Sequence, residues 1–224
     1  MDVLFFLKER TRFIRNYYKT ASEPFCETIR KIEAGKAPFD DPPYSEDDEP
    51  PFLEEWIEAD EGLEVLGRTC ISMLSASLQL YLKTWEGELG VTWDKGERDR
   101  MFKNGFLQGY RTCFSEVLHL SWDKCPADFS LLEQVILARN RDQHPDTIST
   151  MRVTHTHKDW RKHSRLFFVS DTERKMFSAS GMKGISWMSP TVHVSRDMLF
   201  TAIKQVETLA EWLDERIIAV RYGK

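Results

Sequence analysis

The chain has 224 residues, four cysteines and a net charge of −5. That length buries a sizeable core without staples, and Cys26, Cys70, Cys113 and Cys125 form no C-x-x-C pair, which argues against a disulfide framework or a zinc knuckle and suits a reducing compartment. No apolar run is long enough for a bilayer, and an acidic net charge does not by itself advertise nucleic-acid binding.

The opening "MDVLFFLKER" lacks a basic leader and a small-residue cleavage site. It is expected to begin a helix, not a signal peptide, in a cytoplasmic protein with no membrane association. Leu4, Leu7, Phe13, Ile14, Tyr17, Phe25, Ile29 and Ile32 recur at near-helical spacing and predict helix over about 2–34, with Pro24 marking a break or a new first turn. Residues 1–35 thus read as an N-terminal helical segment packed on a bundle. Residues 36–51 are rich in proline and acid and predict an exposed loop. Across 36–64 there are twelve acidic residues and one basic one, a run that is either solvated or available to a basic partner.

Residues 52–86 predict the longest helix. Leu63, Leu66, Cys70, Met73, Leu74, Leu78, Tyr81, Leu82 and Trp85 keep one face apolar, and Gly67, Ser72, Ser75, Ala76 and Ser77 allow close approach of a neighbour. A helix from about 104 to 120 follows. Ser130 and Glu133 have capping-box spacing for the next helix, which runs into Arg139. "RLFFVSD", "ERKMFSAS" and "SPTVHVS" read as a small antiparallel β ribbon within about 150–194. Ser195 can cap a last helix whose stripe runs from Leu199 to Ile217. The fold class is therefore mainly α, an antiparallel bundle of four to five long helices with a β ribbon inserted before the last, and 52–224 forms the principal domain.

"LARNRDQHPD", residues 137–146, carries the chemistry. Residues five apart on a continuous helix diverge by about 140°, so Arg139 and His144 meet only if the helix ends between them, as Pro145 favours, or if two chains contribute one each. Asn140 could orient the imidazole or contact substrate. Histidine as a residue type exchanges protons near neutrality, and arginine presents a planar fork to phosphate oxygens. Together they suit cleavage of RNA, whose 2′-hydroxyl is a built-in nucleophile. Residues 139–165 also hold seven Lys or Arg against three Asp. Within that basic island, Arg141, Arg152, Lys158, Arg161 and Lys162 are candidate RNA contacts, and Trp160 is a candidate base-stacking ring. His155 and His157 form an H-x-H pair near His163, but nearby ligands do not complete a metal site, so neither metal nor cofactor is expected.

"RNRDQH" resembles the R-x(4–6)-H motif of the HEPN superfamily (higher eukaryote and prokaryote nucleotide-binding), in which a polar residue, often Asn, follows the Arg as Asn140 does. The resemblance extends over about 52–218. It implies a metal-independent endoribonuclease working as a homodimer with a composite cleft, with Arg139 and His144 catalytic and Asn140 positioning them. The implied products are 2′,3′-cyclic phosphate and 5′-hydroxyl ends. It further implies a toxin or anti-phage effector, with an antitoxin or regulatory protein as possible partner. The alternative is a non-catalytic helical protein that dimerises or binds a partner in such a system.

Overall fold

A computed structural model describes residues 1–42, 44, 48–144, 151–163, 165–179 and 189–222. Four helices build the frame: α1 (Val3–Glu33), α2 (Leu53–Glu88), and, as numbered in chain order, α5 (Phe129–Gln143) and α8 (Arg196–Tyr222). Between α2 and α5 lie α3 (Glu97–Phe102) and α4 (Phe106–Leu118), followed by a 3-10 turn at Trp122–Lys124. Between α5 and α8 lie α6 (His157–Lys162) and α7 (Asp171–Ala179).

The long helices pack by their apolar stripes. Val3, Leu7 and Ile14 of α1 are buried, and α1 runs antiparallel to both α2 and α8. Thr11 and Lys8 reach Glu207 and Glu211 of α8 at 2.6 and 2.7 Å. Helices α2 and α8 run parallel, with the buried Tyr81 hydroxyl donating to the Ala210 carbonyl at 2.9 Å. Leu74, Leu78, Phe114, Leu132, Ile203 and Leu209 are fully buried at the centre. Among the described residues no helix is long and apolar enough to cross a membrane.

Three details differ from the sequence reading. Pro24 lies inside a continuous α1. The carbonyl it deprives of a partner belongs to exposed Thr20, where solvent can satisfy it, so the helix need not break. Asp128, not Ser130, caps α5, accepting from the Leu131 amide at 3.0 Å. Ser130 instead meets Nδ1 of His163 at 3.1 Å, and Glu133 pairs with Lys162 at 2.8 Å.

The β ribbon is also absent: the described residues contain no strand, only one antiparallel bridge between Thr154 and Thr191. "ERKMFSAS" is mostly helix because Ser170 and Glu173 form the S-x-x-E signal. The Ser170 hydroxyl accepts from the Glu173 amide at 3.2 Å. Pairing at Thr154 cannot continue because Thr156 starts α6, where it and Asp159 cap each other reciprocally. Parts of two expected segments, residues 43 and 45–47 of the acidic loop and 180–188 of the ribbon, lie outside the described residues.

Candidate active site

Helix α5 carries the R-x(4)-H segment to the edge of the bundle. Leu131, Leu132, Val135, Ile136 and Ala138 are buried and anchor it, so its last turn projects with polar residues only. The helix stops where Pro145 predicts. His144 is the C-terminal cap, with φ −132° and ψ 65°, outside helical geometry. Arg139 is half-buried, while Asn140 and His144 are exposed. The Arg139 guanidinium donates to the Asn140 side-chain oxygen at 3.0 Å. Asn140 therefore holds the arginine of its own chain; no bond from Asn140 to His144 is formed among the described residues. Pro145 itself lies outside them.

The end of α5 is held in place by a chain of polar contacts that reaches across α2. Asp142 accepts from the Ser72 hydroxyl at 2.9 Å and lies 3.4 Å from the guanidinium of Arg68. Arg68 is 5% exposed. Its guanidinium also donates to the Met151 carbonyl at 2.9 Å and lies 3.8 Å from Glu64. Glu64 in turn is hydrogen-bonded to Nδ1 of His193. That hydrogen bond raises the His193 pKa despite partial burial, with the Glu64, Glu173 and Asp60 charges adding to it. His193 is tied at its backbone as well, donating to the Phe168 carbonyl at 3.1 Å. Asp60, Glu64, Arg68, Arg152, Glu173 and His193 line a hollow of about 220 Å³. None of Arg68, Glu64 or Asp142 stood out in the sequence. The usable signal was Glu64-x-x-x-Arg68, an i,i+4 ion pair set among Leu63, Val65 and Leu66.

The basic island divides into engaged and open side chains. Arg141 donates to Asp159 at 3.2 Å and to the Thr156 hydroxyl at 3.0 Å, clamping α5 to the start of α6. Burial pushes the Asp159 carboxyl up, but Thr156 and the Arg141 charge outweigh it and hold its pKa below the ordinary range. Lys162 is paired with Glu133. Arg152 lines the hollow beside His193. Lys158 and Arg161 are exposed on α6. Trp160 packs edge-on against Phe177, with ring centroids 4.9 Å apart, and is a packing residue.

The H-x-H histidines do not share a face. His155 is buried, with Nε2 on the Phe168 carbonyl at 2.9 Å, and burial lowers its pKa. His157 is exposed at the start of α6. Burial likewise lowers the pKa of His163, which leans on Ser130. Among the described residues no three His, Cys, Asp or Glu side chains cluster as metal ligands do.

No protein-family model, no curated protein and no solved structure matches this chain.

Proposed function

We propose that this protein is a metal-independent endoribonuclease of the HEPN type, acting as a homodimer whose two α5 ends share one cleft. The observation that supports it most is the end of α5 itself. The helix terminates at His144, its imidazole is exposed, and Arg139 is steadied by Asn140 one residue along. No hydrogen bond or ion pair joins Arg139 to His144 within the chain among the described residues, so this reading takes the fork of donors and the proton carrier from two copies.

The reaction needs no external nucleophile. One His144 removes the proton of a ribose 2′-hydroxyl, and the oxygen attacks the adjacent phosphorus. Arg139 stabilises the additional negative charge at phosphorus. The P–O5′ bond breaks and the leaving oxygen takes a proton from the second copy's His144. The products are a 2′,3′-cyclic phosphate and a 5′-hydroxyl. In this reading Lys158 and Arg161, exposed on α6, are the contacts to the RNA backbone. A toxin or anti-phage effector held by an antitoxin fits such an activity.

Incubating the protein with RNA in EDTA tests the proposal. Wild type should cut and leave cyclic-phosphate ends, and His144→Ala and Arg139→Ala should each lose on the order of 10²-fold or more. Equal cleavage by wild type and His144→Ala sinks it.

A further inference from the structure

We infer that Ser130, His163 and Glu133 form a second reaction centre, in which Ser130 is the nucleophile of acyl transfer from carboxylic esters. The inference goes beyond the ribonuclease reading and does not rest on it.

Ser130 and Glu133 have the spacing of a capping box, yet neither caps α5, because Asp128 does. Both side chains turn instead to one histidine. The hydroxyl of exposed Ser130 lies 3.1 Å from Nδ1 of His163, which is 5% exposed. The Glu133 carboxylate lies 3.8 Å from the other ring nitrogen, Nε2. That nitrogen is buried and has no hydrogen-bond partner among the described residues. A histidine kept for packing alone has both ring nitrogens satisfied, so an unpaired one in the interior asks for a reason.

The three side chains are fixed by their elements. Ser130 and Glu133 are three apart on α5 and so share a face. Lys162 holds Glu133 at 2.8 Å. The His163 amide donates to the Asp159 carbonyl at 3.0 Å and closes α6, and Arg141 clamps Asp159 to α5.

An exposed nucleophile, a buried base within hydrogen-bond reach and a carboxylate behind that base are the parts an activated serine needs. Burial lowers the His163 pKa, so the ring is neutral near pH 7 and Nδ1 can accept the Ser130 proton. The Nε2 proton then faces Glu133, whose charge stabilises the imidazolium once it forms. Ser130 is the second residue of α5, and side chains there tilt toward the helix N-terminus. The Leu131 amide is taken by Asp128, while the Phe129 and Ser130 amides have no partner within the helix and can donate to an oxyanion.

The reaction follows in two halves. The Ser130 Oγ–H bond breaks, its proton goes to Nδ1 of His163, and Oγ bonds to the ester carbonyl carbon. The bond from that carbon to the alcohol oxygen breaks, and the departing oxygen takes the proton from Nδ1. Water then gives a proton to Nδ1 and its oxygen attacks the acyl carbon. Oγ leaves with that proton, which frees the carboxylic acid and restores Ser130.

A fluorophosphonate probe and 4-nitrophenyl acetate test this on the full chain. The probe should attach to Ser130 with loss of fluoride, located by peptide mass, and the ester should be hydrolysed. Ser130→Ala should keep its circular dichroism, since the side chain is exposed. It and His163→Gln should each lose on the order of 10²-fold or more in both reactions. Glu133 acts through His163, so its readout is the pH profile of labelling. The charged groups facing His163 are Asp128 and Glu133 at α5, and Asp159 and Lys162 on α6. Glu133 raises the His163 pKa, so Glu133→Gln should move the acid limb of the profile to lower pH. An unmoved limb overturns the arrangement. So does a wild type that the probe leaves unmodified, a label carried by another residue instead, or Ser130→Ala that hydrolyses the ester at the wild-type rate.

Discussion

Asp142 of α5 accepts a hydrogen bond from Ser72 of α2 at 2.9 Å. That contact ties the end of the candidate catalytic helix to the longest helix of the bundle, two residues before His144. Through Asp142 the same end is joined to Arg68, Glu64 and His193. Half-buried Arg139 and exposed His144 are thereby mounted on a polar frame centred on the buried Arg68, and site and frame respond differently to mutation.

Arg68→Ala tests the frame. Removing a buried cation strands its partners, which typically costs 3–5 kcal/mol when both sides are buried. Here Glu64 and Asp142 keep 26% and 25% exposure, so solvent recovers part of it. We expect a loss of about 2 kcal/mol in urea unfolding. A change within about 0.5 kcal/mol, the range of an ordinary surface substitution, refutes the structural role.

Asn140→Ala tests the site without touching the frame. Asn140 is exposed and its side chain holds Arg139, so stability should be unchanged. Cleavage should fall about tenfold through kcat, because the guanidinium must then be ordered during the reaction. An unchanged rate would show that Arg139 does not need Asn140.

The pH dependence of stability tests His193. Its pKa is raised by the Glu64 hydrogen bond, so protons bind it more tightly folded than unfolded. The stabilisation is therefore complete below the ordinary histidine value of 6.5 and is lost as pH rises through the raised folded value. The facing groups are Asp60, Glu64 and Arg68 from α2, Glu173 from α7, and Arg152. His155 and His163, with pKa values lowered by burial, act in the opposite sense and destabilise as pH falls through 6.5. The difference between wild type and His193→Gln isolates the first effect: it should be largest near pH 6 and shrink toward pH 9. A difference independent of pH would contradict it.

Gly67→Ala tests a close approach between α2 and the segment before α8. A Cβ at Gly67 would stand 2.3 Å from the Val194 carbonyl oxygen, which is backbone and cannot rotate away. The segment before α8 must shift, at a cost of about 1–3 kcal/mol. Thermal unfolding of the variant checks this; an unaltered Tm would mean the segment moves freely.

The sequence by itself determined the helices that bury a stripe. The apolar spacing within α1, α2 and α8 is enough to mark them as helices, because a 3.6-residue period needs no partner to be recognised, but the buried face of α1 is Val3, Leu7, Thr11, Ile14 and Tyr18, and Phe13 and Tyr17 of the expected stripe are exposed. It also determined where α5 ends, since Pro145 acts on its immediate neighbour, and so the candidate pair Arg139 and His144. Local signals misled where two were in competition: Ser130 and Asp128 both suit a cap, and only packing against His163 and Lys162 decides that Asp128 takes the role. The segments at 165–195 carry the β-branched and aromatic residues that favour extended chain, yet the Ser170 hydroxyl accepts from the Glu173 amide and starts α7 there. What only the tertiary structure decided is which charges meet. Asp142 lies 70 residues from Ser72, and Glu64 lies 129 from His193. No local pattern encodes such pairs, since their energy arises only once the chain has folded and water has been withdrawn from between them.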